Sequence, residues 1–196
     1  MLHLYGDSHC DNCFRNLKIE HKNCYQSACM HRIGRDNKII NFVDSKNIVL
    51  VYGEIDCRTN IGKQINLGRN EDEIIETLIT NYFKTIANTS FDKIIIVGII
   101  PPTKKNDYEK IHGPILHKHP FVHSDEDRVR YTKKMNNLLN EYCNKYNYIY
   151  FNPFDYYTRE DGTLKYEFSD SSVHLENNTY FLNKFYELYD KYISGL

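Results

Sequence analysis

The stretch KIIIVGII, which begins at Lys93, is the most apolar run of the chain, and most of its residues are β-branched. A second run of this kind, IVLVYG, covers Ile48–Gly53. Runs that are apolar at nearly every position are typical of strands covered on both faces, as in a parallel sheet. We therefore predict strands at Ile48–Gly53 and Lys93–Ile99. Short apolar runs predict three more strands: Leu2–Tyr5, Ser27–Arg32 and Tyr148–Asn152.

Amphipathic segments lie between the predicted strands. In three of them apolar residues recur at the spacing of a helix, so that each helix has one apolar face. Two segments open with a residue pair that resembles a capping box: Asn70 with Glu73, and Ser124 with Asp127. The apolar stripes, which we assign to the core, are Ile74, Ile75, Leu78, Ile79, Tyr82, Phe83 and Ile86; Val129, Met135, Leu138, Leu139 and Tyr142; and Tyr180, Phe181, Phe185, Leu188, Tyr189 and Tyr192.

The alternation of strands with helices predicts an α/β fold in three layers, with helices on both faces of a parallel sheet. The length of 196 residues suits one domain, and no internal repeat, low-complexity linker or charge block divides the chain. We therefore predict a single domain over residues 1–196. In such folds ligands bind at the carboxyl ends of the strands, so the residues that follow each strand are the candidates for a site.

The first predicted strand leads into Gly6-Asp7-Ser8-His9, after which a helix is predicted to begin. A serine at such a turn presents its hydroxyl at the edge of the sheet, beside backbone N–H groups that can stabilise an oxyanion. Ser8 is therefore a candidate nucleophile. The alternative is that Ser8 only caps the helix, a position that serine favours.

A serine nucleophile needs a base, because its hydroxyl is weakly nucleophilic at neutral pH. His174 precedes the last predicted helix, and Asp170 stands four residues before it. A carboxylate in this position can fix the tautomer of the imidazole and stabilise the imidazolium that forms during acyl transfer. We predict His174 as the base and Asp170 as its acid. The alternative is a loop histidine that has an acid near it by chance.

The segment GEIDCR, from Gly53 to Arg58, brings two carboxylates and a guanidinium to the end of a buried strand. Charged groups are costly there unless they pair or take part in a site. An ion pair of Arg58 with Glu54 or Asp56 is the structural alternative, and it does not exclude a role in the site. We predict a substrate pocket lined by residues of this segment and of the first turn: Asp7, His9, Gly53, Glu54, Asp56 and Arg58.

Over essentially its whole length the chain resembles hydrolases of the SGNH or GDSL type. GDSH at 6–9 matches the nucleophile motif of this family, and GEIDCR stands at the place of its Gly-x-Asn-Asp motif. IIVGIIPP resembles the fourth strand with its following turn, and SDSSVHL resembles the terminal acid–histidine motif. The resemblance implies a flavodoxin-like sheet of five parallel strands in the order 2-1-3-4-5. It also implies a Ser8 acyl-enzyme intermediate and the N–H of Ser8 as one oxyanion donor.

The succession of GEIDCR, SDEDRVRYTKKMN and DGTLKYEFSDSSVHL resembles a branch of this family that is associated with the biosynthesis of surface glycans. The resemblance implies a carbohydrate O-acyl ester as the substrate, an O-acetyl ester first of all, and no cofactor. A sugar O-acyltransferase that uses the same site is one alternative. A non-catalytic glycan-binding domain that kept the fold is another.

Two positions depart from the family pattern. Ile55 stands where the family has an oxyanion Asn, and its side chain carries no donor. The family's acid lies three residues before the histidine, where this chain has Ser171, so Asp170 is one position early. Both departures favour slow hydrolysis of generic esters or the binding alternative. The glycine of the family's second motif, an N–H donor to the oxyanion, is best matched by Gly34 in HRIGRD.

Pro101–His123 is a long insertion. Connections longer than about 12–15 residues are often functional in a compact domain. Because this one follows a strand that ends beside Ser8, we predict a lid over the substrate. A metal site at HKH is the alternative, although such spacing in a polar loop is usually incidental. The insertion contains four histidines: His112, His117, His119 and His123.

Four of the six cysteines lie near the N-terminus: Cys10, Cys13, Cys24 and Cys29. Their spacing loosely resembles a four-thiolate zinc site, which is the basis of a rival interpretation as a thiol or zinc protein. The second pair is loosely spaced and lacks a Gly-rich knuckle. We therefore predict reduced thiols, without disulfides and without a metal.

Charge and hydropathy exclude several classes of partner. The formal net charge is −1 and the basic residues are scattered, so we expect no binding to nucleic acid or to an anionic membrane. The N-terminus lacks the basic and apolar regions of a signal peptide, and no run reaches the roughly 18 apolar residues that cross a bilayer. We therefore expect a cytoplasmic protein whose partner is a small-molecule or glycan ester.

Overall fold

A computed structural model describes residues 2–17, 21–25, 27–36, 47–116 and 118–194. Within these residues five strands form one sheet: β1 (Leu2–Gly6), β2 (His21–Cys24), β3 (Asn47–Val51), β4 (Lys93–Val97) and β5 (Ile149–Phe151). All neighbouring strands are parallel, and their order is β2-β1-β3-β4-β5. The predicted order and direction are confirmed.

Helices cover both faces of the sheet, which confirms the three-layer prediction. The α-helices are α1 (Ser8–Cys13), α2 (Met30–Asp36), α3 (Ile61–Asn66), α4 (Glu71–Ala87), α5 (Lys105–His112), α6 (Asp125–Tyr146), α7 (Phe154–Tyr157) and α8 (Thr179–Tyr189). Shorter turns are π-helical at Asp56–Asn60 and Asp190–Ser194, and 3₁₀ at Tyr166–Phe168. In the parts of the chain given above, no helix is both long and apolar enough to cross a membrane.

An apolar core fills each side of the sheet. On one side, residues of α2, α4 and α6 pack against Ile48 of β3 and Ile96 of β4. On the other side, α1 and α8 pack against Val49 and Ile95 of the same strands. Successive residues of a strand point to opposite faces, so each central strand contributes to both cores. This is why the two longest apolar runs contain almost no polar position.

The two long helices begin where their capping pairs predicted. Asn70 accepts hydrogen bonds from the N–H groups of Asp72 and Glu73 at the start of α4. Ser124 and Asp127 form a reciprocal capping box at the start of α6. Each cap satisfies backbone donors that the first turn of a helix leaves without an intrahelical partner.

The predicted strand at Ser27–Arg32 is wrong. Those residues lead into α2, and the second strand is β2, His21–Cys24, which lies at the edge of the sheet. An edge strand has one neighbour, and none of the residues of β2 is fully buried, so its sequence HKNC carries no apolar pattern. The apolar residues Cys29 and Met30 are buried at the start of a helix instead.

The strand register brings three carboxyl ends to one edge of the sheet. Gly6 of β1 is paired with Cys24 of β2 on one side and with Val51 of β3 on the other. The segments that begin at Asp7 and at Tyr52 therefore leave the sheet side by side. This edge is where the fold predicts chemistry.

The segment Pro101–His123, predicted as a lid, contains α5 and is hydrogen bonded to the π-helical turn Asp56–Asn60 that follows β3. The carbonyl of His119 accepts from Arg58 Nη1, and the carbonyl of Pro120 accepts from Thr59 Oγ1. The N–H of Val122 donates to the carbonyl of Arg58 at 3.0 Å. The segment is thus attached to the edge of the sheet that carries Gly53–Arg58. Of its histidines, His117 lies outside the described residues.

Candidate active site

Ser8 is the first residue of α1, directly after the turn that ends β1. The cap of this helix is Asp7, whose Oδ1 accepts a hydrogen bond of 2.8 Å from the N–H of His9. The alternative in which Ser8 is only the helix cap is therefore wrong. Gly6 makes the turn possible, because a Cβ there would lie 2.6 Å from the carbonyl oxygen of Val51.

The side chains of Ser8, His174 and Asp170 form one hydrogen-bonded line. The distance from His174 Nε2 to Ser8 Oγ is 2.9 Å, and that from His174 Nδ1 to Asp170 Oδ2 is also 2.9 Å. One neutral tautomer satisfies both bonds: Nδ1–H donates to the carboxylate, and Nε2 accepts from the hydroxyl. The structure thus brings together three residues that the sequence separates by up to 166 positions.

The loop that carries His174 also fixes its acid. Asp170 Oδ1 accepts from the N–H groups of Ser172 at 2.8 Å and of His174 at 3.1 Å. Ser171 has a left-handed backbone, with φ of 64°, which accommodates the extra residue between acid and base. Burial raises the pKa of Asp170, but the hydrogen bond and charge of His174 outweigh it, so the net pKa is lowered. The departure in spacing therefore leaves the contact intact.

Asn178 is a residue that the sequence analysis missed. It is 3% exposed, and its Nδ2 donates to the carbonyls of Asn12 at 3.3 Å and of Cys13 at 2.9 Å. It thereby ties the start of α8 to the end of α1, and with it the loop of His174 to the helix of Ser8. A buried Asn that precedes a helix was the available signal, but its distant partners are visible only in the fold.

A buried row of charges lies behind the nucleophile. Arg58 Nε and Nη2 donate to the two carboxylate oxygens of Glu54 at 2.7 and 3.0 Å. Glu54 Oε2 also lies 3.1 Å from His9 Nε2. The ring of His9 packs against that of His174, with 4.7 Å between centroids. Of the two predicted pairings, Arg58 therefore takes Glu54, and the pair extends to the residue that follows Ser8.

The charges of this row shift the pKa of each member. Burial raises the pKa of Glu54, but Arg58 and His9 outweigh it and hold the pKa well below its usual range. Burial lowers the pKa of His9, but the charge of Glu54 and the bond to it raise the net value. For Asp7, burial dominates and raises the pKa to about 6. The row therefore favours an ionised Glu54 between Arg58 and His9, and it stabilises the protonated form of His9.

Two other residues of the predicted pocket, Asp56 and Gly53, have structural roles, and Ile55 lies between them in the chain. Asp56 Oδ2 accepts from the N–H of Met30 at 2.8 Å, so it positions the start of α2. Gly53 has φ of 118°, and a Cβ there would lie 2.6 Å from Ile99 Cδ1. Ile55 is 2% exposed and contributes no side-chain donor.

Gly34 does not fit its predicted role as an oxyanion donor. It lies inside α2, where backbone N–H groups bond within the helix. A Cβ on Gly34 would lie 2.9 Å from Asn81 Cβ and 3.2 Å from the backbone nitrogen of Tyr82. The glycine therefore allows α2 to approach α4 closely, and this is a packing requirement.

The cysteines of the zinc alternative lie on different elements, although the side chains of Cys10 and Cys24 are hydrogen bonded to each other. Cys10 and Cys13 are buried in α1, Cys29 is buried before α2, and Cys24 ends β2. All six are free thiols, and burial raises the pKa of Cys10, Cys13 and Cys29. Among the residues that the structure describes, no three His, Cys, Asp or Glu side chains are grouped to hold a metal ion.

Comparison with models of protein families finds no match for this sequence, and comparison with curated proteins finds none either. Solved structures do match. A GDSL-like lipase from Bacteroides thetaiotaomicron VPI-5482 has a TM-score of 0.62 at 13% identity, and the match covers 97% of this chain and 87% of that chain. A proposed acylhydrolase from Bacteroides fragilis NCTC 9343 also has a TM-score of 0.62, at 11% identity, and the match covers 97% of this chain and 86% of that chain.

Phospholipase A1 from Streptomyces albidoflavus NA297 matches with a TM-score of 0.56 at 12% identity, over 95% of this chain and 98% of that chain. At these identities the likeness concerns the backbone. The chain therefore has the fold of GDSL-like hydrolase structures, as its motifs predicted.

Proposed function

We propose that this chain is a serine esterase in which Ser8 is the nucleophile, His174 the base and Asp170 the acid. The observation that carries the proposal is the line of two hydrogen bonds, each of 2.9 Å, from Ser8 through His174 to Asp170. Its position at the end of a central strand, in the fold of GDSL-like hydrolases, supports the same function.

The proposed reaction proceeds in two halves. Ser8 Oγ attacks the carbonyl carbon of the ester, and its proton passes to Nε2 of His174. The imidazolium gives this proton to the leaving alcohol oxygen as the ester C–O bond breaks, and the acyl group remains on Ser8 Oγ. A water molecule, deprotonated by His174 in the same way, then releases the carboxylic acid and restores Ser8.

Asp170 has an electrostatic role in this scheme. Its lowered pKa keeps it ionised at neutral pH, and its bond to Nδ1 holds the ring with Nε2 towards Ser8. When His174 takes a proton, the carboxylate stabilises the positive charge. The two backbone N–H groups on Oδ1 keep the carboxylate in this orientation.

The oxyanion of the tetrahedral intermediate has fewer donors than the family pattern provides. The N–H of Ser8 lies in the first turn of α1, where backbone donors have no intrahelical acceptor. Ile55 supplies no side-chain donor, and the loss of one such donor costs about 2.7–4 kcal/mol in serine hydrolases. We therefore propose slow turnover of generic esters.

The proposed substrate is a carbohydrate O-acetyl ester. The resemblance of GEIDCR and the terminal motif to proteins of glycan biosynthesis supports the carbohydrate. A sugar O-acyltransferase would use the same acyl-enzyme, with a sugar hydroxyl in place of water.

A fluorophosphonate probe tests the proposal directly, because a base-activated serine attacks such an electrophile. We expect peptide mass spectrometry to locate the adduct on Ser8 in the wild type, with Ser90→Ala as a matched control that still reacts. His174→Ala should lower kcat for an aryl acetate by about a thousandfold or more, whereas His21→Ala should not. A folded protein whose Ser8 stays unmodified would refute the proposal.

A further inference from the structure

A second cavity lies apart from the line of Ser8, His174 and Asp170, between α2, α3 and α4. Its volume is about 330 Å³, and none of those three residues lines it. Small-molecule sites in proteins occupy about 300–1,000 Å³, so the cavity is large enough for one compact ligand. Its lining residues come from three helices and from the π-helical turn at the end of β3.

Four basic side chains line this cavity. His31, Arg35, Lys63 and Arg69 line it, and all four are exposed at its mouth. Arg69 gives one hydrogen bond, of 2.8 Å, to Gln64 Oε1, which uses one of the five N–H donors of the guanidinium. An anion would complement the positive charges of Lys63 and Arg69, whereas a neutral ligand would not.

Among the described residues that line the wall, one carries a carboxylate, and that carboxylate already accepts two hydrogen bonds from the protein. Asp56 accepts from the N–H of Met30 at 2.8 Å and from Asn60 Nδ2 at 2.9 Å. It is fully buried, and it is outnumbered by the basic side chains of the lining. The balance of charge at the mouth therefore remains positive.

The uncharged part of the wall combines donors with an apolar surface. Amide side chains and a hydroxyl come from α3 and α4 and from the turn before α3, and Ile74 and Leu78 of α4 form an apolar floor. Amides suit a ligand with several hydroxyl groups, and an apolar floor suits the C–H face of a ring. The polar lining residues are Asn60, Gln64, Thr77 and Asn81.

We propose that this cavity binds a hydroxyl-rich anion of the size of a phosphorylated or carboxylated sugar. The anionic group would contact the cationic mouth, and the hydroxyl groups would contact the amides. Helix α3, which supplies Lys63 and Gln64 to the wall, also contacts the proposed lid, because a Cβ on Gly62 would lie 2.6 Å from Val122 Cγ1. Binding here is independent of the proposed esterase, since the cavity contains none of its three catalytic residues.

Calorimetric titration with four probes tests the chemistry of the ligand: glucose 6-phosphate, glucuronate, glucose and inorganic phosphate. We expect both anionic sugars to bind with a Kd that rises with salt, and glucose to bind on the order of tenfold more weakly. The tighter of the two anionic sugars identifies the anionic group. Inorganic phosphate that binds as tightly as glucose 6-phosphate, or glucose that binds as tightly as either acid, would overturn the proposal.

Substitutions locate the site. The double variant Lys63→Gln/Arg69→Gln should weaken binding of the anionic sugars on the order of tenfold. Lys84→Gln/Lys93→Gln removes the same charge from surfaces outside the cavity and should leave Kd unchanged. Thr77→Phe, which fills the cavity from the exposed face of α4, should abolish binding while circular dichroism shows a folded protein. Equal weakening in the control would place the ligand elsewhere.

The same titration in Ser8→Ala separates this proposal from the esterase proposal. The variant lacks the nucleophile but keeps every residue of the cavity, so we expect the wild-type Kd. Failure of Ser8 labelling would leave this result unaffected. Absence of saturable binding in both proteins would overturn the cavity proposal alone.

Discussion

Asp7 is the buried carboxyl with the clearest consequence for stability. Its pKa is raised from 3.8 to about 6 by burial, although it accepts a hydrogen bond from the N–H of His9. The folded protein therefore binds this proton more tightly than the unfolded chain does. Stability falls as pH rises from about 4 to about 6, because the unfolded state releases its proton first. One pKa unit corresponds to about 1.4 kcal/mol, so the total is about 3 kcal/mol.

Asp7→Asn should remove this dependence. Asparagine caps a helix as well as aspartate does, and it carries no charge to bury. We expect the free energy of unfolding of the variant, relative to the wild type, to increase by up to about 3 kcal/mol between pH 4 and pH 7. Urea unfolding at a series of pH values measures the difference. A difference that stays constant with pH would show that Asp7 does not titrate near pH 6.

At this scale the sequence predicted the residues that have a chemical signature. A serine after a strand, and a histidine with an acid before the last helix, are recognisable because acyl transfer needs those groups. Gly34 was misassigned because a glycine without side-chain chemistry fits an oxyanion loop as readily as a helix contact. Asn178 was missed because its acceptors, at Asn12 and Cys13, are more than 160 residues away in the chain.

The packing of α2 on α4 depends on Gly34. In an isolated helix Gly→Ala is stabilising by up to about 1 kcal/mol. Here the new Cβ would meet Asn81 Cβ and the backbone of α4 at about 3 Å, and the two helices must separate. We expect Gly34→Ala to destabilise the protein by about 1–3 kcal/mol, measured as a lower Tm.

The labelling rate of Ser8 distinguishes the two roles considered for Gly34. Because Gly34 lies in the helix contact, folded Gly34→Ala protein should react with a fluorophosphonate at the wild-type rate. A stable variant with much slower labelling would restore Gly34 to the oxyanion site.

At the scale of helices and strands, the sequence predicted those elements whose burial produces a regular pattern of apolar residues. β3 and β4 are covered on both faces, so their sequences are apolar at nearly every position. α4 and α6 each have an apolar stripe and a capped first turn, so their sequences are recognisable as helices. β2 lies at the edge and is polar, so only its neighbour in the sheet identifies it as a strand. The periodicity of apolar residues reflects burial rather than the pairing of strands, and a prediction from periodicity therefore placed the second strand at the wrong residues.

At the scale of the whole molecule, the lid over the substrate stays a prediction. The segment that would form it is held by Phe121, which lies 4.6 Å from the guanidinium of Arg128 and 5.9 Å from that of Arg58. Loss of this ring should loosen the segment without touching Ser8 or His174.

Phe121→Ala should therefore raise KM for a sugar acetate more than it lowers the rate of Ser8 labelling. We expect a change of about tenfold in KM, since a stacked ring is worth about 1–2 kcal/mol, and a change of less than about threefold in labelling. Tyr186→Ala, an exposed aromatic residue of α8, is the control. The reverse pattern would place a catalytic residue in the segment.

Because Ser8 and His174 are separated by 166 residues, reactivity of Ser8 in the proposed esterase would report on the completion of folding. A ribosome that adds about 5–20 residues each second needs roughly ten to thirty seconds to pass from the nucleophile to the base. During that interval the serine is an ordinary hydroxyl, because its activating imidazole has not been made. A parallel sheet with such distant contacts also folds slowly. The gain of fluorophosphonate reactivity after dilution from urea should therefore follow the last step of refolding.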